Sequence, residues 1–334
     1  MIKVVEYTVY VAFVISVVLN LFLLYIVKHY TARTMKVFAN LIIQATVVDL
    51  VTSIVIMFMQ LTVEAKAGIV FTGSGNPWLP LPGQWRCSPI MIFAVFMNMS
   101  FWSIPIQALY RYLVIVRKHK VSLWFPALLY AFVGVFIAAI TFPTAFLSET
   151  NSPQLQGIRS MKFWRTEDTH ALCTISILTW PVLLYLGGMS VLCDVGLFTL
   201  FWCNKQLYRT FNNSQMHFSA KTKQMHREMT HKLYAQAAVP MFMAVVFLVA
   251  CTCLFLTPDY YGGFFVALLL PDHWIVVINP LVTLCCIKQY RSVAKAILQG
   301  RISEIKSNMS INRDSKGIAI VMSNNRSINS TITK

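Results

Sequence analysis

The sequence predicts an all-α membrane protein, a bundle of seven transmembrane helices with its N-terminus outside and its C-terminus inside. Of 334 residues, 57% are hydrophobic and only 12% charged, whereas a soluble domain averages about 45–50% apolar and about 25% charged. Seven uninterrupted apolar runs are each long enough to cross a hydrocarbon core, which takes about 20 helical residues. The Lys and Arg residues, 28 in all, are also divided unevenly between alternate connecting segments. The formal charge of +16 would by itself allow a nucleic-acid partner. That partner needs basic residues on a folded, water-facing surface, and this composition provides none. A soluble enzyme is disfavoured on the same ground.

The seven runs cover 8–27, 37–63, 88–116, 122–147, 171–203, 233–257 and 264–287. The first follows Lys3 as a signal peptide would, but it stays apolar to Val27 and shows no small-x-small cleavage site, so it reads as a retained span. With the N-terminus outside, the inner segments hold three basic residues around Arg33, four from Arg111 to Lys120, six from Lys205 to Lys232 and nine from Lys288 to Lys334. These make 22 inside, against six outside: Lys3, Lys66, Arg86, Arg159, Lys162 and Arg165. Basic loops near span ends stay cytoplasmic, which fixes the orientation.

Residues 1–300 form the predicted seven-span domain and 301–334 a flexible cytoplasmic tail, rich in Ser, Asn, Thr and Lys and too polar to bury a core. Two long outer segments, 64–87 and 148–170, contrast with short basic inner ones. No internal repeat is visible, which counts against transporters built from duplicated bundles. After the seventh run, Tyr290, Val293, Ala294, Ile297 and Leu298 recur at helical spacing with Lys288, Arg291 and Lys295 on the flanks. Residues 289–299 therefore read as an amphipathic helix on the anionic inner leaflet.

Cys87 and Cys173 both face the oxidising side, where a bridge between them is chemically permitted; two free thiols at the membrane rim are the alternative. The other cysteines act as small apolar residues, although Cys285 and Cys286 stand where acylation occurs. Arg111 lies 24 residues after Cys87, roughly 36 Å along a helix, which puts it at the opposite mouth between Tyr110 and Tyr112. It either snorkels to lipid phosphate or serves as a conformational lock or partner contact.

Ionisable groups inside spans are functional candidates because they are costly to bury. Asp49, Asn20 and Asn279 share a depth in the inner half of spans two, one and seven, and can satisfy one another. They form either a static knot or a switch centre, the latter favoured because Pro280 loosens the backbone ladder beside Asn279. Asp194 has no evident cationic partner. Pro271, Asp272, His273 and Trp274 cluster near the outer half of span seven, where they either contact ligand or form an interfacial belt. Phe96, Met97 and Phe101 in span three are packing or pocket. No Lys lies between 233 and 287, which disfavours a retinal-bound light sensor, and His226 and His231 are five apart, off the i, i+4 face of a helical zinc pair. No cofactor and no metal set is expected.

Together these features resemble a G-protein-coupled receptor. The segment from Lys221 to Met229, then Tyr234 to Pro240, and Asn279-Pro280 through Thr283 to Tyr290-Arg291, are similar to nematode chemoreceptors of the Str superfamily, over about 20–291. Tyr110 stands where rhodopsin-like receptors carry an acid, and Thr283 where they carry Tyr, which speaks against an ionic lock of the rhodopsin type.

The resemblance implies a Cys87–Cys173 link and a chemosensory receptor in the plasma membrane of sensory cilia. A small odorant or soluble cue would bind between the outer halves of the helices, Phe96, Met97, Asp272, His273 and Trp274 being the candidate contacts. Tyr110, Arg111, Tyr112, Lys118, Lys120, Lys221, Lys223, Arg227, Lys232 and Arg291 would face a heterotrimeric G protein. Asn20, Asp49, Asn279 and Pro280 would form the conformational switch. Anionic lipid would hold the inner face, and assembly into receptor oligomers stays open. A seven-span ligand-gated channel or transporter is the alternative, with a ligand-free structural role a third.

Overall fold

The computed structural model describes residues 2–31, 36–66, 68–76, 78–79, 81–122, 124–146, 158, 161–165, 172–212, 220–256 and 262–301. At 2, 36–37, 84, 145–146, 220–222, 243–244 and 246–256 it describes the backbone alone. The tail expected at 301–334, after its first residue, and most of the second outer segment lie outside the described residues.

The chain is mostly helical. Helices α1 (Ile2–Tyr30), α2 (Lys36–Met59), α3 (Ser88–Ile115), α4 (Trp124–Phe146), α5 (Trp180–Asn212) and α6 (Ala220–Leu256) follow one another. The seventh run is broken into α7 (Phe264–Leu268), a 3₁₀ turn (Leu270–Trp274) and α8 (Ile275–Cys286), and α9 (Lys288–Leu298) ends the described chain. Among the described residues six helical segments are long and apolar enough to cross a membrane: those of α1 to α5, and 264–286 taken as one. The run expected at 233–257 lies in α6, which is not among the six.

Helix α3 is central, packing on α2, α4, α5 and α6, while α1 closes the ring between α2 and α8. Small residues let the backbones approach: a Cβ on Gly196 of α5 would stand 3.0 Å from Phe101 of α3. The two largest clusters of buried apolar residues lie at the two ends. One gathers Leu23, Ile26, Phe38, Met229, Leu284 and Tyr290; the other gathers Val9, Ile56, Phe71, Trp164 and Val276.

The all-α expectation needs amending at one end of the bundle. The run predicted to continue to Val63 stops as helix at Met59, because Gln60 takes the left-handed conformation (φ 40°). Residues Leu61–Lys66 and Ile69–Ser74 become antiparallel strands β1 and β2, and Leu172–Ser176 adds β3 in the order β1-β2-β3. Leu61-Thr-Val and Ile69-Val-Phe-Thr are β-branched or aromatic stretches that suit a pleated surface. Gly68, with φ 78°, allows the tight reversal between β1 and β2. Thr72 of β2 pairs with Cys173, and the Cys87–Cys173 disulfide (Cα–Cα 5.8 Å) pins β3 to the start of α3. Run five was expected from 171, but its first residues are spent on β3 and the helix starts at Trp180.

Glu64 holds this cap to the bundle. It is fully buried, accepts the Trp164 indole N–H at 3.0 Å and the Ala65 N–H at 3.2 Å, and also takes the Gly263 N–H at the start of α7. Removing a buried acceptor leaves each donor unsatisfied at roughly 1–3 kcal/mol. Glu64→Ala is therefore expected to lower the thermal stability of the purified protein by several degrees, whereas an unchanged midpoint would show that water replaces the carboxylate.

Candidate functional site

Pro280 has no N–H to give, so the Val276 carbonyl one turn earlier loses its helical donor. That carbonyl accepts instead from Ser16 Oγ and Asn20 Nδ2 of α1, both at 3.2 Å. Asn20 Nδ2 also donates to the Ser16 carbonyl at 2.9 Å. The broken ladder thus ties α1 to α8.

One turn along, Asn279 Nδ2 donates to Asp49 Oδ1 at 3.0 Å and to Ser100 Oγ at 3.2 Å, and Ser100 Oγ donates to the same Asp49 oxygen at 2.6 Å. Asp49, Ser100 and Asn279 are all buried, so this cluster joins α2, α3 and α8 in a low-dielectric interior where each bond is strong. The three-way contact expected among Asn20, Asp49 and Asn279 is corrected in one member: Asn20 bonds backbone at Val276, and Ser100 takes the third place. Ser100 is legible in hindsight, because it lies three turns before Arg111, roughly 16 Å along the helix, at the depth of Asp49.

From α6, Gln236 Nε2 donates to the Asn279 carbonyl at 3.0 Å, and Thr283 Oγ1 donates to the same oxygen at 2.9 Å. Thr283, where a Tyr was expected from the rhodopsin pattern, therefore caps an α8 carbonyl rather than reaching across the bundle.

At the end away from the sheet, α3 and α6 are joined twice. Arg111 Nη2 donates to the His226 carbonyl at 3.0 Å and to Thr230 Oγ1 at 3.1 Å, and Lys232 Nζ donates to Gln107 Oε1 at 2.8 Å. All the acceptors are neutral. Arg111 is wholly buried, yet its Nε and Nη1 have no partner among the described residues. A buried guanidinium bonded through one of three nitrogens is costly, so this closed arrangement leaves Arg111 ready for another partner. Sequence reasoning missed Gln107 and Thr230, which are neutral and carry no charge signal.

The residues assigned to one docking surface fall into two groups. Lys118, Lys120, Lys223, Arg227 and Arg291 are exposed, whereas Tyr110, Arg111, Tyr112 and Lys232 are buried. The Lys221 side chain lies outside the described residues. Tyr110 donates through its hydroxyl to the Val121 carbonyl at 3.3 Å, and Arg117 Nε donates to the Tyr112 hydroxyl at 2.8 Å. The apolar stripe of α9 does not point wholly away from the bundle: Tyr290 and Val293 are buried against it, and Tyr290 meets Thr31 at 3.1 Å.

A cavity of about 270 Å³ opens beside the buried cluster. From α3 it is lined by Phe93, Met97, Asn98, Ser100, Phe101 and Ile104, and from α5 by Cys193 and Leu197. Gln236, Pro240 and Met241 of α6 and Leu268, Leu269, Asp272, Ile275 and Asn279 complete the wall. Of the five expected ligand contacts, Met97 and Asp272 line it. Phe96, His273 and Trp274 do not: Phe96 lends its carbonyl to Thr52, Trp274 packs in the core beside the sheet, and His273 is buried with Nδ1 2.8 Å from the Leu269 carbonyl. Asp194 lies on the outward, exposed face of α5, away from this cavity.

These residues build a helical membrane bundle with a buried polar centre, a side cavity and a disulfide-pinned cap. The chain belongs to the family described as serpentine type 7TM GPCR chemoreceptor Srd, which it matches over residues 5–296. It is 25% identical over 294 residues to serpentine receptor class delta-33 of Caenorhabditis elegans, covering 83% of this chain and 81% of the relative. To serpentine receptor class delta-19 of the same organism it is 24% identical over 306 residues, 84% of each. The motifs pointed to nematode chemoreceptors, and the family is one; it is Srd, a different family from the Str superfamily they suggested. The chain is a multi-pass membrane protein of a chemoreceptor family, and its relatives are named as receptors, not enzymes.

His226 offers a pH test of the α3–α6 contact. Seven residues before the apolar run of α6, its ring stacks on Phe211 and meets Phe38 edge-on, and burial, then the neighbouring Arg111 charge, holds its imidazole down at about 3 against an ordinary 6.5. The folded form stays neutral. Below about 6.5 the unfolded chain takes up a proton that the folded one refuses, so stability falls progressively towards pH 3. His226→Phe is expected to keep the ring contacts and flatten the acid side of the stability profile; equal slopes for both proteins would place the titration elsewhere.

Proposed function

We propose that this chain is a chemosensory receptor that binds a small molecule in the cavity between α3, α5, α6 and the seventh span, and activates a heterotrimeric G protein from the Arg111 end. The observation that carries this reading is shared lining: Ser100, Asn279 and Gln236 belong both to the cavity wall and to the hydrogen bonds joining α2, α3, α6 and α8. A ligand that contacts these groups differently in two conformers shifts the balance between them by that difference in affinity.

The sheet and disulfide end faces outside and the basic end faces the cytoplasm, supported by the 22 to 6 division of Lys and Arg. The apolar run in α6 makes the sixth span in chain order, which brings the total to seven. On the cytoplasmic side the exposed Lys118, Lys120, Lys223, Arg227 and Arg291 form the rim that meets the G protein, with α9 against anionic lipid. The buried Tyr110, Arg111, Tyr112 and Lys232 become available when α6 moves away from α3. The receptor resides in the plasma membrane, in sensory cilia. Membership of a chemoreceptor family favours this over a channel or transporter.

In transfected cells, Arg111→Ala is expected to leave surface expression intact and abolish agonist-dependent G-protein activation; unchanged signalling would remove Arg111 from its role. Thr230→Val deletes one acceptor of the closed contact, so basal activity should rise roughly two- to tenfold with the agonist response retained. A dose-dependent response to a chemical panel tests the receptor reading itself, and a ligand-evoked current in bilayers holding only the purified protein would replace it with a channel.

A further inference from the structure

The cavity also carries a chemical signature, which rests on the receptor reading and names what that site takes. Most of its described wall is apolar, with Phe93, Met97, Phe101, Leu197 and Met241 facing it, and Asp272 is the one charged residue among the described lining residues. No hydrogen bond or ion pair joins the Asp272 carboxylate to any described residue. Gln236 Oε1, more than nine-tenths buried, is likewise without a partner.

Most side-chain donors of the described wall are already engaged. Ser100 Oγ gives its proton to Asp49, Asn279 Nδ2 serves Asp49 and Ser100, Gln236 Nε2 serves the Asn279 carbonyl, and Asn98 Nδ2 serves the Ala94 carbonyl. Apart from the second Asn98 N–H and the weak Cys193 thiol, the described lining offers acceptors rather than spare donors. An unpaired carboxylate facing apolar surface is costly until a donor or a cation arrives.

We propose that the cavity takes a small organic amine, its ammonium paired with the Asp272 carboxylate and its apolar body held among Phe93, Met97 and Phe101. Ring faces add attraction for the cation. Carboxylic acids are repelled by Asp272, and ketones and esters bring acceptors but no donor for its carboxylate. The volume of about 270 Å³ equals about nine water volumes at ~30 Å³ each. The ligand therefore has roughly ten non-hydrogen atoms, at the small end of ligand cavities.

The test is thermal stabilisation of the purified full chain in lipid nanodiscs by matched sets: 2-phenylethylamine, 2-phenylethanol and phenylacetate, then hexylamine, hexanol and hexanoate. Amines are expected to bind about tenfold or more tighter than the isosteric alcohols, the scale of a hydrogen bond to a charged group, with the acids weakest. Asp272→Asn should remove the amine preference and Asp272→Glu should keep it. Equal or tighter binding of the alcohols or acids, no binding of either amine, or a preference that survives Asp272→Asn would overturn the proposal. Binding is read here without a G protein. Amine binding with no signalling in cells would sink the receptor reading alone, and signalling by neutral compounds with no amine preference would sink this inference alone.

Discussion

The missing N–H of Pro280 is the constraint around which the polar interior is arranged. It frees the Val276 carbonyl, and a carbonyl without a donor inside an apolar bundle costs several kcal/mol in a medium with no water to replace it. Ser16 and Asn20 meet that need from α1. The neighbouring Asn279 then carries bonds to three other helices, through its side chain to Asp49 and Ser100 and through its carbonyl to Gln236. Ser16, Asn20, Asp49, Ser100, Asn279 and Gln236 each have a partner on a different helix, so the cluster specifies how the helices sit beside one another in a way that interchangeable apolar contacts do not.

Two features of the centre bear on the proposed signalling role. It borders a cavity on one side, through Ser100, Asn279 and Gln236, so a ligand need not act over distance to disturb it. Towards the other end, α6 is held to α3 through neutral acceptors: the His226 carbonyl, Thr230 and Gln107. Such contacts are weaker than a buried salt bridge with good geometry, and Arg111 leaves two nitrogens unbonded. A closed contact of this kind is one that a modest shift in the equilibrium can open.

Much of this was legible in the sequence, and the rest was hidden for physical reasons. Apolar run length predicted the helices, because a lipid environment leaves little else for a 20-residue apolar segment to do. Asp49 stood out because charge is rare inside a span, Asn279 because Pro280 follows it, and Arg111 because it is a charge at the inner end of the third run. The sheet did not, since Leu61 to Val63 is as apolar as the helix before it and only the left-handed turn at Gln60 separates the two. Ser100, Gln107, Thr230 and Gln236 are small or neutral, and hydroxyls and amides are common in spans; only the fold shows which of them meet a partner. Asn20 was at the right depth but faces Val276, because depth does not fix the direction of a side chain around the helix.

The claim that Pro280 creates the need that Asn20 fills is tested most directly by a double-mutant cycle on thermal stability, using the wild type, Asn20→Ala, Pro280→Ala and the combined variant in nanodiscs. With Pro280 present, Asn20→Ala should lower the unfolding midpoint clearly. With Ala at 280, the restored N–H returns the Val276 carbonyl to its own helix, and the same substitution should cost much less. Equal losses in both backgrounds would contradict the account.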